Sequence, residues 1–234
     1  MEVMTSLVDM RVRGEVMRHL CLSERPLIVI LGPTASGKTA FSVALAKEIE
    51  GARQDEKGDW KNAEIVNADS RQIYRHLNIG TAKTTPEEMR GIPHHLLDLL
   101  DPKQPLTAAW YKDHAVRTIH EIHARGNVPL LAGGSMLYIS AVIDDLRFAD
   151  PVDLALRKKM EKMYEEDEGE SLYRKIEEDD PATAKSFHRR NKPYVIRAAE
   201  LLASGKKPSA IKKRFLSPYN LLVYGMEWGR EELC

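Results

Sequence analysis

The run Leu27-Ile28-Val29-Ile30-Leu31, followed at once by Gly32-Pro33-Thr34-Ala35-Ser36-Gly37-Lys38-Thr39, constrains this chain more than any other stretch. A short, wholly apolar, β-branched run is how a strand buried on both faces of a parallel sheet reads. The eight residues after it fit the G-x-x-x-x-G-K-[ST] pattern in the setting that pattern requires. A helix is expected to begin near Gly37, with Phe41, Leu45 and Ile49 at helical spacing. The glycines let the loop wrap so that backbone N–H groups point inward at phosphate oxygens, and the helix N-terminus adds its positive dipole end. Lys38 supplies a mobile cation for the terminal phosphate, and the Thr39 hydroxyl suits a Mg²⁺ site. Gly32, Pro33, Thr34, Ala35, Ser36, Gly37, Lys38 and Thr39 are therefore expected to hold a diphosphate or a nucleotide, with Thr39 as metal ligand.

Strand and helix signals alternate downstream. Glu64 to Ala68 reads as a second strand after a polar insert from Gln54 to Asn62. Ala108 to Arg125 reads as a helix with Ala115, Val116, Ile119 and Ile122 on its inner face, and Val128 to Ala132 as another buried strand. This alternation predicts an α/β fold, a P-loop NTPase-like doubly wound parallel sheet. From Pro151 to about Arg214 the texture is helical: Asp153 to Asp167, Glu170 to Glu178, Pro181 to Phe187 and Pro193 to Ala203, with Gly205 as a C-cap. The expected organisation is an N-terminal extension over 1–26, helical or disordered, a P-loop core over 27–150, an inserted small helical domain over 151–214, and a return to the core over 215–234 with Leu221 to Val223 as a further strand.

Charge is balanced overall, 35 basic against 35 acidic residues, so any affinity for a polyanion must come from local clustering. Clustering exists. Residues 161–180 hold ten acids against three bases, and residues 185–214 hold ten bases against one acid. Cys21 and Cys234 fit neither a disulfide framework nor a zinc cluster, which suits a reducing compartment. No apolar run approaches the roughly 18 residues of a membrane span. The first 26 residues mix acids with arginines, unlike a transit peptide.

A phosphate cradle does not say what leaves and what attacks. A P-loop NTPase also needs a strand-end Asp to help hold Mg²⁺. Val128 to Ala132 runs instead into Gly133-Gly134-Ser135, leaving Asp98 or Asp101 as acid candidates. Asp69, directly after the second strand, lies at the sheet edge where open α/β sheets bind ligands. Taken alone, Asp69 and Ser70 could equally cap a following helix.

Taken in order, the motifs resemble the tRNA dimethylallyltransferases, also called tRNA isopentenyltransferases. The resemblance rests on Gly32 to Thr39, on Asp69-Ser70-Arg71-Gln72-Ile73-Tyr74-Arg75 and on Ile79-Gly80-Thr81-Ala82-Lys83. It continues through His94-His95-Leu96-Leu97-Asp98 and Gly133-Gly134-Ser135-Met136-Leu137-Tyr138 to Arg197-Ala198-Ala199-Glu200, covering about residues 27 to 205. What it implies is prenyl transfer from dimethylallyl diphosphate to N6 of an adenosine beside the tRNA anticodon, with Mg²⁺ as cofactor, by a cytoplasmic monomer with no membrane partner. Asp69 matches the family's general base. Ser70, Arg71 and Gln72 match positions around the target nucleotide. Ser135 stands where a hydroxyl can hydrogen-bond near the departing bridging oxygen, and Arg157 matches an arginine that contacts the same site. Lys38 and the loop amides would stabilise the leaving diphosphate. Pro193, Tyr194, Val195, Ile196 and Arg197 match a segment that touches tRNA, with Tyr194 where some relatives carry a basic residue. The basic stretch Lys185 to Arg214 suits a phosphate backbone. The family's members continue with further helices beyond the positions of Glu231 to Cys234.

Three other readings share these residues. An adenylate isopentenyltransferase would use the same donor with free AMP or ATP as acceptor. A nucleotide or small-molecule kinase would need a clear Mg²⁺-holding Asp and an Arg-rich lid. A non-catalytic RNA-binding relative would not need Asp69 and the loop intact. Ser135 could be no more than a helix N-cap, and Arg157 no more than a solvated helix charge.

Overall fold

A computed structural model describes residues 8–52, 60–148, 153–211 and 216–227. The polar insert after Gln54 and the basic residues Lys212, Lys213 and Arg214 fall wholly or largely outside the described residues. The chain divides into two compact units, one formed by 1–146 with 215–234 and the other by 147–214.

The first unit is built on five parallel strands: β1 (Pro26–Leu31), β2 (Ala63–Asn67), β3 (His94–His95), β4 (Val128–Gly133) and β5 (Asn220–Gly225). They lie side by side in the order β3-β2-β4-β1-β5. Strand residues alternate between faces, and each face finds helices to cover it. Leu27, Val29, Val66 and Leu131 pack under α4 (Ala108–Ala124) and α5 (Met136–Ile143), against Tyr111, Ala115, Ile119, Ile122 and Ile139. Ile28, Ile30, Ile65 and Leu130 pack on the other face under α1 (Met10–Leu22) and α2 (Lys38–Ala52), against Val16, Leu20, Phe41, Leu45 and Ile49. This is the doubly wound arrangement expected from the sequence, and β1 and β4 are apolar along their length because both faces are covered, while β2 buries Glu64 and Asn67 among its apolar residues. Phe41, Leu45 and Ile49 are buried as their spacing predicts. On α4 the fully buried positions are Tyr111, Ala115, Ile119 and Ile122; Val116 is only half-buried, because the 3.6-residue period carries it to the flank of the stripe.

Two elements escape the sequence reading. His94-His95 is a two-residue edge strand on β2, too short and too polar for any periodicity to register. Before it comes a single helical turn, α3 (Pro86–Met89), closed by a Thr85–Glu88 capping box. The N-terminal extension contains a true helix, capped by Asp9 and anchored by Val16 and Leu20.

The second unit is four helices around one apolar core: α6 (Leu154–Asp167), α7 (Glu170–Asp179), α8 (Pro181–Ala184) and α9 (Lys192–Ala203). Asp153 caps α6 through the amides of Ala155 and Leu156, and Asp180 caps α8. The cap of α9 is Ser204, with Gly205 one position beyond it at φ 74°, the left-handed conformation glycine tolerates.

Candidate active site

All five strands run the same way, so the loops after β1, β2 and β4 meet at one edge of the sheet. After β1, residues 32–37 wrap with Ala35 at φ 65° and Gly37 at φ 81° before α2 starts at Lys38. The first N–H groups of α2 have no place in the helix ladder and sit at its positive end. Thr34 to Thr39 line a cavity of about 510 Å³ that they share with Asn67, Asp69, Gln72, Thr81, Thr84, His94, Leu97 and Gly133. The ammonium of Lys38 donates to the carbonyl of Pro33. Burial pushes Lys38 down from its ordinary value and the Asp69 carboxylate pulls it back up, which sets cradle cation and candidate base in one electrostatic field.

No helix follows Asp69; residues 70–73 are turn. Its carboxylate accepts from the amide of Arg71 (2.8 Å) in a local turn, so the helix-cap alternative falls away. Ser135 likewise makes no capping bond to α5. Its hydroxyl oxygen instead accepts from the Ser70 amide (2.9 Å), while its own amide donates to the Ala68 carbonyl (3.1 Å). Accepting that bond fixes the oxygen, and the Ser135 hydroxyl retains its own proton as a donor. The loops after β2 and β4 are thereby locked together. Their backbones approach so closely that a Cβ on Gly133 would lie 2.2 Å from the Ala68 carbonyl oxygen. Gly32 is similarly hemmed in by Met226 and the Ser36 hydroxyl.

The acid candidates for a kinase-like metal site are otherwise engaged. Asp98 pairs with Lys83 (2.5 Å), and Asp101 accepts from the Lys103 amide. Among the described residues no group of three or more His, Cys, Asp and Glu could hold a metal ion. Among the oxygens lining the cradle is the Thr39 hydroxyl, half-buried in the cavity wall. That donor set fits a Mg²⁺ carried mainly on substrate phosphates and waters, and not an all-protein cage.

Gln72 lines the cavity, but its amide nitrogen donates to the carbonyls of Thr81 (3.2 Å) and Ala82 (3.1 Å), holding that loop as a wall. Arg71 is exposed. In the helical unit, Arg157 pairs with Glu161 (3.1 Å) and Glu200 (3.6 Å), so it is not a solvated charge. Arg197 bonds the same buried Glu200 (2.9 Å). Val195 and Ile196, expected within a segment that touches tRNA, have their side chains buried in the core of this unit. Pro193 and Tyr194, beside them, are exposed.

The basic stretch is also less free than its composition suggests. Arg189 pairs with Glu170 and Lys192 with Glu165, so acids of α6 and α7 neutralise part of it. Among the described residues, Lys185, Arg190 and Lys207 carry no such ion pair.

Residues 72–234 match the family model for IPP transferases. The chain belongs to that family. It is 41% identical over 211 residues to the tRNA dimethylallyltransferase of Bacillus cytotoxicus, covering 88% of this chain and 63% of that protein. To the enzyme of the same name from Macrococcus caseolyticus it is 38% identical over 215 residues, covering 91% and 65%. Among solved structures it is similar to the full-length tRNA isopentenylpyrophosphate transferase of Bacillus halodurans, with 37% identity, a TM-score of 0.56, and 90% of this chain and 62% of that one covered. It is also similar to a eukaryotic dimethylallyltransferase described as acting on tRNA, with 25% identity and a TM-score of 0.72 over 87% of this chain and 48% of that one. The chain thus spans less than two thirds of the length of these curated relatives. The IPP transferase assignment agrees with the resemblance drawn from the motifs. Asn67, Thr84, Glu88 and Arg90 also line the cavity, and the sequence reading gave none of them a role in the site.

Among the described residues no helix is long and apolar enough to cross a membrane.

Proposed function

We propose that this chain transfers a dimethylallyl group from dimethylallyl diphosphate to N6 of an adenosine next to the anticodon of tRNA, releasing diphosphate. The observation that carries the reading is the shared cavity: the phosphate cradle and the Asp69 carboxylate line the same walls, close enough for Asp69 to act on Lys38. A site that must hold an anionic leaving group and deprotonate a weak amine needs these two functions side by side. N6 attacks the allylic carbon, the bond from that carbon to the bridging oxygen breaks, and the N6 proton passes to Asp69. The loop amides and Lys38 take up the charge that grows on diphosphate. Ser135, its oxygen held by the Ser70 amide, is set to donate its proton near the bridging oxygen. A Mg²⁺ ion held by Thr39 and the diphosphate would neutralise further charge on the leaving group.

The acceptor base, stacked in the anticodon loop, must be extruded to reach Asp69. Arg71, exposed beside Asp69, is available to it, and Pro193, Tyr194, Arg190, Lys185 and Lys207 of the helical unit offer an aromatic ring and free cations to the tRNA backbone. Such an enzyme works in the cytoplasm, where tRNA is modified. On this reading the enzyme is a monomer.

Incubation with labelled dimethylallyl diphosphate and, separately, total tRNA or AMP tests the reading. Label in tRNA, lost on Asp69→Asn by a factor on the order of 10²–10⁴, is the expected result. Label in AMP with none in tRNA would move the chain to the adenylate-prenylating enzymes, and an Asp69→Asn rate near wild type would remove the base from the mechanism.

A further inference from the structure

The turn that carries Asp69 is held by a side chain the chemistry does not itself use. Asn67 is the last residue of β2 and is buried. Its amide oxygen accepts from the Asp69 amide (3.1 Å), and its amide nitrogen donates to the Asp69 carbonyl (3.2 Å). One planar group thus grips Asp69 at both its backbone N–H and its C=O, which fixes the dihedrals that aim the carboxylate. The same nitrogen donates to the Leu96 carbonyl (3.1 Å), so the grip extends to the loop after β3. Leu96 needs that anchor: it sits at φ 61°, a conformation a bulky side chain rarely adopts. The orientation of the amide is settled by its partners, one N–H on the oxygen side and two carbonyls on the nitrogen side. The Asn67 backbone is held in turn: its carbonyl accepts from the Tyr111 hydroxyl (3.0 Å), and Tyr111 is fully buried, with its phenol pushed far above the ordinary range and so kept a neutral donor.

We propose that Asn67 is the positioning residue for the base: through the backbone of Asp69 it sets where the carboxylate meets the acceptor amine. Aspartate at this position could not donate to either carbonyl, and an apolar residue could do neither job. The phosphate cradle is formed by another loop, after β1, that Asn67 does not hydrogen-bond. The inference rests on Asp69 being the general base.

The test measures single-turnover prenyl transfer to tRNA and donor affinity for Asn67→Ala, Asn67→Ser and Asp69→Asn, and for Asn67→Ala combined with Asp69→Asn. Displacement of a reacting group by about 1 Å costs on the order of 10²-fold in rate. Asn67→Ala is expected to lose about that factor with donor affinity within ~2-fold of wild type, which also establishes that the variant is folded. Asn67→Ser, whose hydroxyl can still accept from the Asp69 amide, is expected to lose less. In the Asp69→Asn background Asn67→Ala should cost nothing further, because both act through one carboxylate. Full turnover of Asn67→Ala, or losses that simply multiply, would overturn the positioning role while leaving the base assignment intact. Wild-type turnover of Asp69→Asn would remove the base reading and this inference with it.

Discussion

Gly133→Ala puts the construction of the site under direct test. A Cβ there would lie 2.2 Å from the Ala68 carbonyl oxygen, 2.3 Å from its carbon and 2.7 Å from its Cα, all backbone atoms that no rotamer change can move. Contacts under 3.0 Å essentially do not occur, so the ends of β2 and β4 must part by close to an ångström. Three bonds cross that gap: Ala68 N to Ala132 O (2.7 Å), Ser135 N to Ala68 O (3.1 Å) and Ser70 N to Ser135 Oγ (2.9 Å). Overpacking costs roughly 1–3 kcal/mol, and weakening two or three hydrogen bonds adds about 1 kcal/mol each. A total near 4 kcal/mol is expected, which for a chain of this size lowers Tm by roughly 10–15 °C. Gly134→Ala is the control: its Cβ would meet only the Gly32 carbonyl at 3.2 Å and the end of Lys38 at 4.0 Å, a tight contact but not a clash. Thermal denaturation of the two variants, followed by single-turnover transfer below their melting points, reads both effects. Gly133→Ala should also transfer slowly, since Ser135 and Ser70 separate. If it melts within about 2 °C of wild type at full turnover, the close approach of the two strand ends does not organise the site.

Lys38→Ala should abolish transfer mainly by weakening the donor, because the loop amides remain but the charge-assisted contact is gone; unchanged donor affinity would show that the cradle is not the donor site. Glu64 predicts an acid transition. Burial pushes its carboxyl up, but hydrogen bonds from Arg125, Asn127 and His95 outweigh burial and hold it down from 4.5 to about 2. Its stabilisation is therefore complete above pH 4.5 and lost as pH falls toward 2, about 2–3 kcal/mol that Glu64→Gln should forfeit at neutral pH while flattening the acid limb of the stability curve. In salt titrations of tRNA binding, Arg190→Ala, Lys185→Ala and Lys207→Ala should each flatten the log–log slope by roughly 0.7–0.9. Arg189→Ala and Lys192→Ala should flatten it less, and equal effects from all five would mean that the ion pairs with Glu170 and Glu165 open on binding.

The parts of this protein legible in the sequence are those fixed by local rules. A buried strand is mostly apolar, a phosphate loop needs glycine where the backbone is crowded or turned, as at Gly32 and Gly37, and a helix stripe must recur every 3.6 residues; hence β1, the loop at 32–39, α2 and α4 could be read directly. The site's second tier obeys no local rule. Asn67 looks like any polar residue at a strand end until β3 brings the Leu96 carbonyl beside it from 29 positions away. Ser135 could also be read as an N-cap by its place before α5, and only the arrival of Ser70 shows where its hydroxyl is engaged instead. The edge strand His94-His95 owes its existence to pairing with Ile65 and Val66, not to its own propensity.

Charge in the helical unit shows the same limit from the opposite side. The linear sequence separates acids at 161–180 from bases at 185–214, which suggests a strong cationic surface. Folding brings α7 and the end of α6 alongside the segment that leads into α9, because Leu172, Ile176, Val195 and Ile196 must share one core. Acids and bases carried on those elements then meet: Glu170 with Arg189 and Glu165 with Lys192. Such exposed pairs contribute little to stability, about 0–1 kcal/mol each, but they change what a polyanion encounters. A phosphate must compete with a carboxylate for Arg189 and Lys192, and displacing the carboxylate exposes a negative charge next to the incoming backbone. Arg190, Lys185 and Lys207 impose no such cost. Of the seven basic residues in 185–211, then, a phosphate backbone meets a few cations outside these described pairs instead of a uniform cationic field. On the proposed reading, that arrangement favours a single register on a folded RNA over loose attraction to any polyanion, since phosphate contacts position a substrate while base contacts specify it.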